Sequence, residues 1–251
     1  MRIDVLTVTG LMLAIGGVLT LGACGGGTTE STTTTTTSAR RQREPTAEEQ
    51  EAQDAQAGVQ IEGLMGTISQ QQVTGTMNPR VEGGLFNPCF SQARGVDFLG
   101  GSIRLSFRIH VDGSVAWVFP IESSIGHRAV ERCITERAHG VRFPRPRGGE
   151  AEFSWSFHFD APSDVRAPVS WDATRLATVL ASSGGTLVSQ CGGHHGYRVT
   201  AYVQPGGSVM AVGVAAQSND VSGQLDCIAN GVSGWRMPDP GSYPAKVSFD
   251  L

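Results

Sequence analysis

Apolar and polar residues alternate along three stretches of the chain, and this alternation is the strongest structural signal in the sequence. The stretches are residues 103–111, 115–121 and 153–159, in which an apolar side chain recurs at every second position. Successive side chains of a strand point to opposite faces, so this spacing predicts half-buried strands. Asp112-Gly113 lies between the first two stretches and is typical of a tight turn, which predicts a β-hairpin.

Apolar residues spaced by three or four positions predict helices on either side of the hairpin. The first stripe consists of Val73, Met77, Val81, Leu85 and Cys89. Asn78-Pro79 is expected to split it, with Asn78 as the N-cap and Pro79 at the first helical position. After the hairpin, Ser124 is expected to cap a helix that runs to about Ala138 and turns Cys133 and Ile134 inward.

The order of these elements recurs 94 residues later. Residues 133–146 read CITERAHGVRFPRP, and residues 227–240 read CIANGVSGWRMPDP. Aligned without gaps from 103–157 to 197–251, the two stretches are identical at 14 of 55 positions. The identities fall on the turn glycine, the helical cysteine, the two prolines and the alternating strands. The chain is therefore interpreted as a tandem duplication, each repeat a helix–strand–strand–helix–strand unit.

The N-terminal region predicts export and lipidation. Residues 1–23 contain Arg2 and a long apolar run, and they end in Leu21-Gly22-Ala23 before Cys24, the pattern of a lipoprotein signal peptide. An ordinary signal peptide or an uncleaved anchor helix is the alternative. Cys24 is the expected lipidation site, and Gly25 favours the outer membrane. Residues 24–60 are rich in Gly, Thr and charged residues and are predicted to be a disordered tether.

Composition narrows the functional classes. The 251-residue chain carries a net charge of −4, so it lacks the basic surface that nucleic-acid binding requires. Its only lysine, Lys246, has no Gly-rich loop before it, which excludes a P-loop. We find no motif typical of a hydrolase, a zinc protease or a redox enzyme. No cofactor, no catalytic residue and no nucleic-acid partner are predicted.

Histidines are the remaining candidates for a metal site. His194 and His195 lie beside Cys191 in a Gly-rich stretch. Adjacent side chains of an extended segment point apart, and no further ligand is suitably spaced, so a surface loop is favoured over a zinc site. His110 and His158 fall at polar positions of their strands and are expected on the surface. We predict no metal site.

The order of elements resembles the C-terminal domain superfamily of TonB, in the variant called the AgmX/PglI C-terminal domain. The resemblance rests on Cys89, the hairpin FRIHVDGSVAWVFPIESS, Cys133-Ile134, the FPRP link followed by Gly148-Gly149, and the last strand FSWSFHF. It implies an α+β fold of two tandem small domains, residues 61–162 and 163–251. Each would be a three-stranded antiparallel sheet with helices on one face. TonB is held by a membrane helix and works with a proton-driven motor, whereas this chain is expected to have a lipid anchor. The resemblance therefore implies partner binding for this chain but not energy transduction.

Five cysteines are an odd number for an exported chain, and lipidation accounts for Cys24. The other four, listed here, would pair in an oxidising periplasm: Cys89, Cys133, Cys191 and Cys227. Four cysteines allow three pairings. Duplication favours bonds within each repeat, Cys89 to Cys133 and Cys191 to Cys227, and the resemblance implies the same arrangement.

The sequence thus predicts a non-catalytic lipoprotein of the outer membrane that acts as a protein-binding or scaffold module for another envelope protein. The resemblance implies strand addition at a sheet edge. The expected edges are the last strands, Glu152–Phe159 and Lys246–Leu251, with the second the more accessible because no residue follows it. The alternatives are a periplasmic enzyme of the hydrolase class and a structural spacer.

Overall fold

The structure, a computed structural model, describes residues 65–93 and 95–251. The predicted signal peptide, Cys24 and the tether lie outside these residues. Among the residues described, no helix combines the length and the apolar character needed to cross a membrane.

Two helices precede the first sheet. Helix α1 (Gln70–Glu82) begins at Ser69, whose side chain and that of Gln72 form a capping box. The predicted break at Asn78-Pro79 is wrong, because the helix continues through Pro79. Burial of the predicted stripe holds the helix together despite the hydrogen bond that proline removes; the buried members within α1 are Val73, Met77 and Val81. Helix α2 (Asn87–Phe90) then carries Cys89 into the core.

The first half of the described chain, residues 65–162, forms the predicted three-stranded antiparallel sheet. Its strands are β1 (Gly101–Ile109), β2 (Val115–Ser123) and β3 (Ala151–Phe159), in the order β2-β1-β3. Helix α3 (Arg128–His139) joins β2 to β3 and buries Val130 and Ile134. It begins after His127 and not at Ser124, whose hydroxyl instead accepts a hydrogen bond from the Ser102 amide at 2.9 Å.

The second half, residues 163–251, opens with a short strand and a helical stretch. Strand β4 is Val169–Trp171. The helical stretch runs through a 3-10 turn (Ala173–Leu176), α4 (Ala177–Val179), a π-helical turn (Leu180–Gly184) and α5 (Gly185–Gln190). The Asp172 carboxylate caps its start by accepting a hydrogen bond from the Thr174 amide at 2.8 Å.

The second sheet has four strands. They are β4, β5 (Tyr197–Val203), β6 (Val209–Ala216) and β7 (Ala245–Asp250), and between β6 and β7 lie a 3-10 turn (Asn219–Gln224) and helix α6 (Leu225–Ser233). The order is β4-β7-β5-β6, with β4 parallel to β7 and the other pairs antiparallel. The expected three-stranded antiparallel sheet is therefore a four-stranded mixed sheet.

Strand β4 also corrects the expected position of the free edge. β7 lies between β4 and β5, so the last strand of the second half is not an edge. The amide of Val169 donates a hydrogen bond to the Pro244 carbonyl at 2.9 Å, and Trp171 is buried against this sheet. A segment that precedes the helices thus pairs with the first three residues of β7.

One local contact recurs in both halves and explains why a glycine recurs 94 residues apart. The Phe143 amide donates to the Gly113 carbonyl, and the Met237 amide donates to the Gly207 carbonyl, both at 2.9 Å. Both glycines have positive φ, +85° and +81°, and a Cβ atom at either would collide with the carbonyl of the link opposite. Each hairpin turn is thereby pinned to the segment that leads into the last strand.

The two halves pack into each other's cores. Phe119 of β2 is buried in the core of the second half, while Tyr202 of β5 and Ala211 of β6 are buried in the core of the first. Strands β2 and β6 face each other at this contact. The division into domains at residues 162 and 163 stays a prediction.

Candidate functional site

In the part of the chain that the structure describes, the outer edge of β3 is the longest strand edge that the contact between the halves leaves open. The end strands of the two sheets are β2, β3, β4 and β6. β2 and β6 face one another, and β4 has only three residues, whereas β3 has nine. Because edge strands can pair with another chain, the outer edge of β3 is the candidate binding site.

The hydrogen-bond pattern of β1 shows which backbone groups of β3 point outward. The carbonyl of Ser102 accepts a hydrogen bond from the Ser124 amide, and the His110 amide donates to the Ser114 carbonyl. Even-numbered residues of β1 therefore face β2, and odd-numbered ones face β3. Because Ile103 lies opposite Phe157, the odd-numbered residues of β3 pair with β1.

The even-numbered residues of β3 consequently point their amides and carbonyls away from the sheet. They are Glu152, Ser154, Ser156 and His158. Within the part of the chain that the structure describes, none of these backbone groups has a hydrogen-bond partner. A contact of Gly66 agrees with this assignment of outward-facing positions: its amide donates a hydrogen bond to the carbonyl of Glu150, another even-numbered residue, at 2.6 Å. Among residues 65–93 and 95–251, the edge is thus closed at residue 150 and open from 152 to 158.

Aromatic side chains line the inner face of this edge. They form a stacked row, with centroid separations of 6.1 Å from Trp155 to Phe157 and 5.6 Å from Phe157 to Phe159. Phe86 and Phe90, before and in α2, pack on the row from above. An extended chain added to β3 would place every second side chain beside these rings.

The outer face of β3 is polar and carries both charges. Glu152 lies 3.6 Å from the Arg108 guanidinium, and the His158 imidazole lies 3.1 Å from the Asp160 carboxylate. Between them, the Ser154 hydroxyl accepts hydrogen bonds from Arg104. A negative group thus begins the open edge and an imidazole ends it.

A cavity of about 790 Å³ opens where β3 ends. Phe90, Val96, Leu99 and Phe159 form its apolar wall, and Asp160 contributes to its polar part. Its volume falls within the range of ligand-binding pockets. A side chain at the end of an added strand could enter it.

The predicted disulfides are confirmed. The sulfurs of Cys89 and Cys133 join α2 to α3, and those of Cys191 and Cys227 join the end of α5 to α6. The first bond holds α2, and with it Phe90, above the aromatic row of β3. The predicted lipidation site, Cys24, lies outside the described residues.

The predicted surface histidines lie where the alternation placed them. His110 and His158 are exposed, and the Nδ1 of His110 lies 2.6 Å from the Glu150 carboxylate. That hydrogen bond, with a second from Arg108, lowers the pKa of Glu150. His194 and His195 are exposed in the turn before β5. Across residues 65–93 and 95–251, no three metal-ligating side chains converge on one point.

A buried carboxylate that sequence reasoning missed lies between the halves. Glu131 of α3 is fully buried; it accepts a hydrogen bond from the Ser123 hydroxyl at 2.5 Å and another from the Val214 amide at 2.9 Å. Burial raises its pKa against the lowering effect of these donors. The repeat held a signal, because position 131 corresponds to Leu225, a core residue. Val214 belongs to β6, so Glu131 occupies part of that strand's edge.

Two further polar side chains lie near Glu131: Tyr202 is fully buried and Lys246 is half-buried. Lys246 donates to the Gly100 carbonyl at 3.0 Å and lies over the Tyr202 ring. Burial lowers the pKa of Lys246 and, together with the charge of Glu131, raises that of Tyr202. This cluster joins the halves from inside their contact.

Comparison of the chain with protein families, with characterised proteins and with solved structures finds no match. The case for a function therefore rests on the residues and their geometry.

Proposed function

We propose that this protein is a non-catalytic lipoprotein of the cell envelope that binds a partner protein by strand addition at the outer edge of β3. The observation that carries the proposal is the run of four outward-facing backbone positions from Glu152 to His158, unpaired among the described residues. Strand addition uses such groups for affinity and alternate side chains for specificity.

The edge supplies the interactions that an added strand requires. Each backbone hydrogen bond contributes about 0.5–1.5 kcal/mol net. Side chains on the inner face of the added strand would extend the row of Trp155 and Phe157, and burial of apolar area there contributes about 25 cal/mol per Å². The cavity beside Phe159 offers a place for one larger side chain.

The proposed location follows from the N-terminal sequence. Acylation of Cys24 would hold the protein at the outer membrane, and residues 25–60 would tether the folded part. The proposal includes a TonB-C-like character for each half, supported by the quoted motifs. The open edge also counts against a purely structural spacer, which needs no unpaired strand.

Proline at Ser156 tests the proposal. It removes an outward-facing amide and leaves the hydrogen bonds to β1 in place, so the fold should persist. Ser156→Ala is the matched control, because it removes the same hydroxyl but keeps the amide. Each full chain would be bound to a support and exposed to solubilised envelope proteins, and captured proteins would be identified by mass spectrometry.

We expect the wild type and Ser156→Ala to capture the same partner, and Ser156→Pro to lose at least about tenfold of it. Thermal unfolding of all three proteins checks that the proline variant is folded. Equal capture by a folded Ser156→Pro variant would show that binding does not use the β3 edge.

A further inference from the structure

We infer that the strand that fits the β3 edge is β3 of a second copy of this chain, related by a two-fold axis at Trp155. The inference rests on the proposed function and names the partner at the same edge. It makes the protein a self-associating scaffold, in which two three-stranded sheets join into one sheet of six strands. Most soluble homo-oligomers use such two-fold, self-complementary contacts.

The outward-facing backbone groups of β3 fit this two-fold register. A two-fold axis at residue 155 places residue 152 opposite residue 158 of the second copy, and residue 154 opposite residue 156. All four are the outward-facing positions of β3. Every amide and carbonyl of the open edge therefore meets its counterpart, as an antiparallel ladder requires.

The polar side chains at the two ends of the open edge also fit this register. In this register Glu152 lies opposite His158 of the second copy, and the same pair recurs at the other end of the ladder. Arg108 flanks Glu152, and Asp160 flanks His158, whose imidazole carries a positive charge when it is protonated. Opposite charges directly across an antiparallel pair are stabilising, and like charges are destabilising.

The side chains at the centre of the open edge match one another in size and shape. Ser154 would lie opposite Ser156 of the second copy, where two small hydroxyl side chains leave room on the polar face. On the inner face Trp155 would meet its own counterpart, and Phe153 would meet Phe157, which continues the aromatic row across the axis. Aromatic pairs across strands are among the favourable ones.

The limits of the open part of the β3 edge are consistent with a two-fold axis at Trp155. Before residue 152 the edge is closed, because Gly66 already donates to the Glu150 carbonyl. The open part therefore runs from 152 to 158 and is centred on Trp155, where the axis lies. In the second half β4 pairs with the first three residues of the corresponding strand, β7, which directs self-association to β3.

Cysteine cross-linking tests the register. Full-length Glu152→Cys chains would be mixed with His158→Cys chains in mild detergent under oxidising conditions, and linked peptides would be mapped by mass spectrometry. We expect a disulfide between chains in the mixture, and little in either variant alone. The matched control mixes Glu152→Cys with Ser154→Cys, two positions that are not opposite in this register.

Charge reversal tests the energetics. His158→Glu places like charges at both ends of the ladder, and sedimentation equilibrium of the full chain should show a dimer dissociation constant about tenfold higher. The swapped variant, Glu152→Lys with His158→Glu, should return it to within about threefold of the wild type. Failure of the swap to restore association would overturn the register.

The outcomes separate this inference from the proposed function. A wild-type chain that stays monomeric at about 100 µM, while Ser156→Pro still loses capture of a different envelope protein, overturns the second-copy inference and leaves strand addition standing. A dimer that Ser156→Pro does not weaken overturns the inference as well. A Pro-sensitive dimer with the 152-to-158 cross-link supports both.

Discussion

A single buried carboxylate ties the two halves together. Glu131 of α3 accepts a hydrogen bond from Val214, which belongs to the other half of the chain. A buried acceptor between two donors fixes their relative position, and removing it leaves buried polar groups unpaired. Specific hydrogen bonds therefore fix how the two halves pack together, in addition to the burial of apolar area.

Glu131 should make the stability of the protein depend on pH. Burial raises its folded pKa above the usual value of 4.5, so the folded state holds this proton more tightly than the unfolded state. The contribution is fully present below pH 4.5 and declines as pH rises toward the folded pKa. The free energy of unfolding of wild type relative to Glu131→Gln should therefore fall as pH increases above 4.5.

Urea unfolding from pH 4 to pH 8 measures this difference. Gln keeps the shape of the side chain and can pair with both Ser123 and Val214 if the serine hydroxyl rotates. Glu122→Gln, at an exposed position of β2, is the control and should show a difference that changes little over the same range. A difference for Glu131→Gln that is independent of pH would contradict the assignment.

At the scale of elements, the two disulfides hold helices over the sheets. The Cys89–Cys133 bond closes a loop with a sequence separation of 44, and the Cys191–Cys227 bond one of 36. In the chain-entropy model each contributes at most about 4 kcal/mol. Replacing either pair by alanines should lower the melting temperature by about 10 °C.

Differential scanning calorimetry of the two alanine pairs checks this expectation. Cys89, Cys133 and Cys191 are buried whereas Cys227 is exposed, so the second pair loses less packing than the first. A change below about 2 °C for either pair would show that the closed loop adds little to stability.

The alternation of apolar residues was sufficient to predict β1, β2 and β3, although only β1 and β3 bury every second side chain, and β2 is covered on both faces. It could not predict β4, whose three residues are too few for a period and whose pairing with β7 is decided by tertiary contact. Pro79 was misjudged for a related reason, since core burial of Val73 and Met77 outweighs a local preference. The two-residue spacing of apolar positions does not determine the order of strands in a sheet, so it cannot show which strand edge is open.

At the scale of the whole molecule, the two halves are expected to unfold together. Phe119 extends from the first half into the core of the second, and Tyr202 extends the other way. Neither core is complete without the other half. Calorimetry should show one cooperative transition, and two separated transitions would show that the halves are independent.

Phe119→Ala should lower the stability of both halves at once, by about 3–5 kcal/mol. Removing the ring leaves a cavity in the core of the second half, although Phe119 belongs to the first. Val111→Ala, at a residue that is 60% exposed, is the control and should be close to neutral. Loss of structure in the first half alone would contradict the interlocked cores.

Residue-resolved amide hydrogen exchange along β3 tests the binding edge most directly. In the monomeric chain we expect an alternating pattern, with the amides of residues 153, 155, 157 and 159 protected by β1 and those of 152, 154, 156 and 158 exchanging rapidly. On association, the even-numbered amides should become protected while the odd-numbered ones change little. Even-numbered amides that are already protected in the monomer, or that stay unprotected in the complex, would contradict the account.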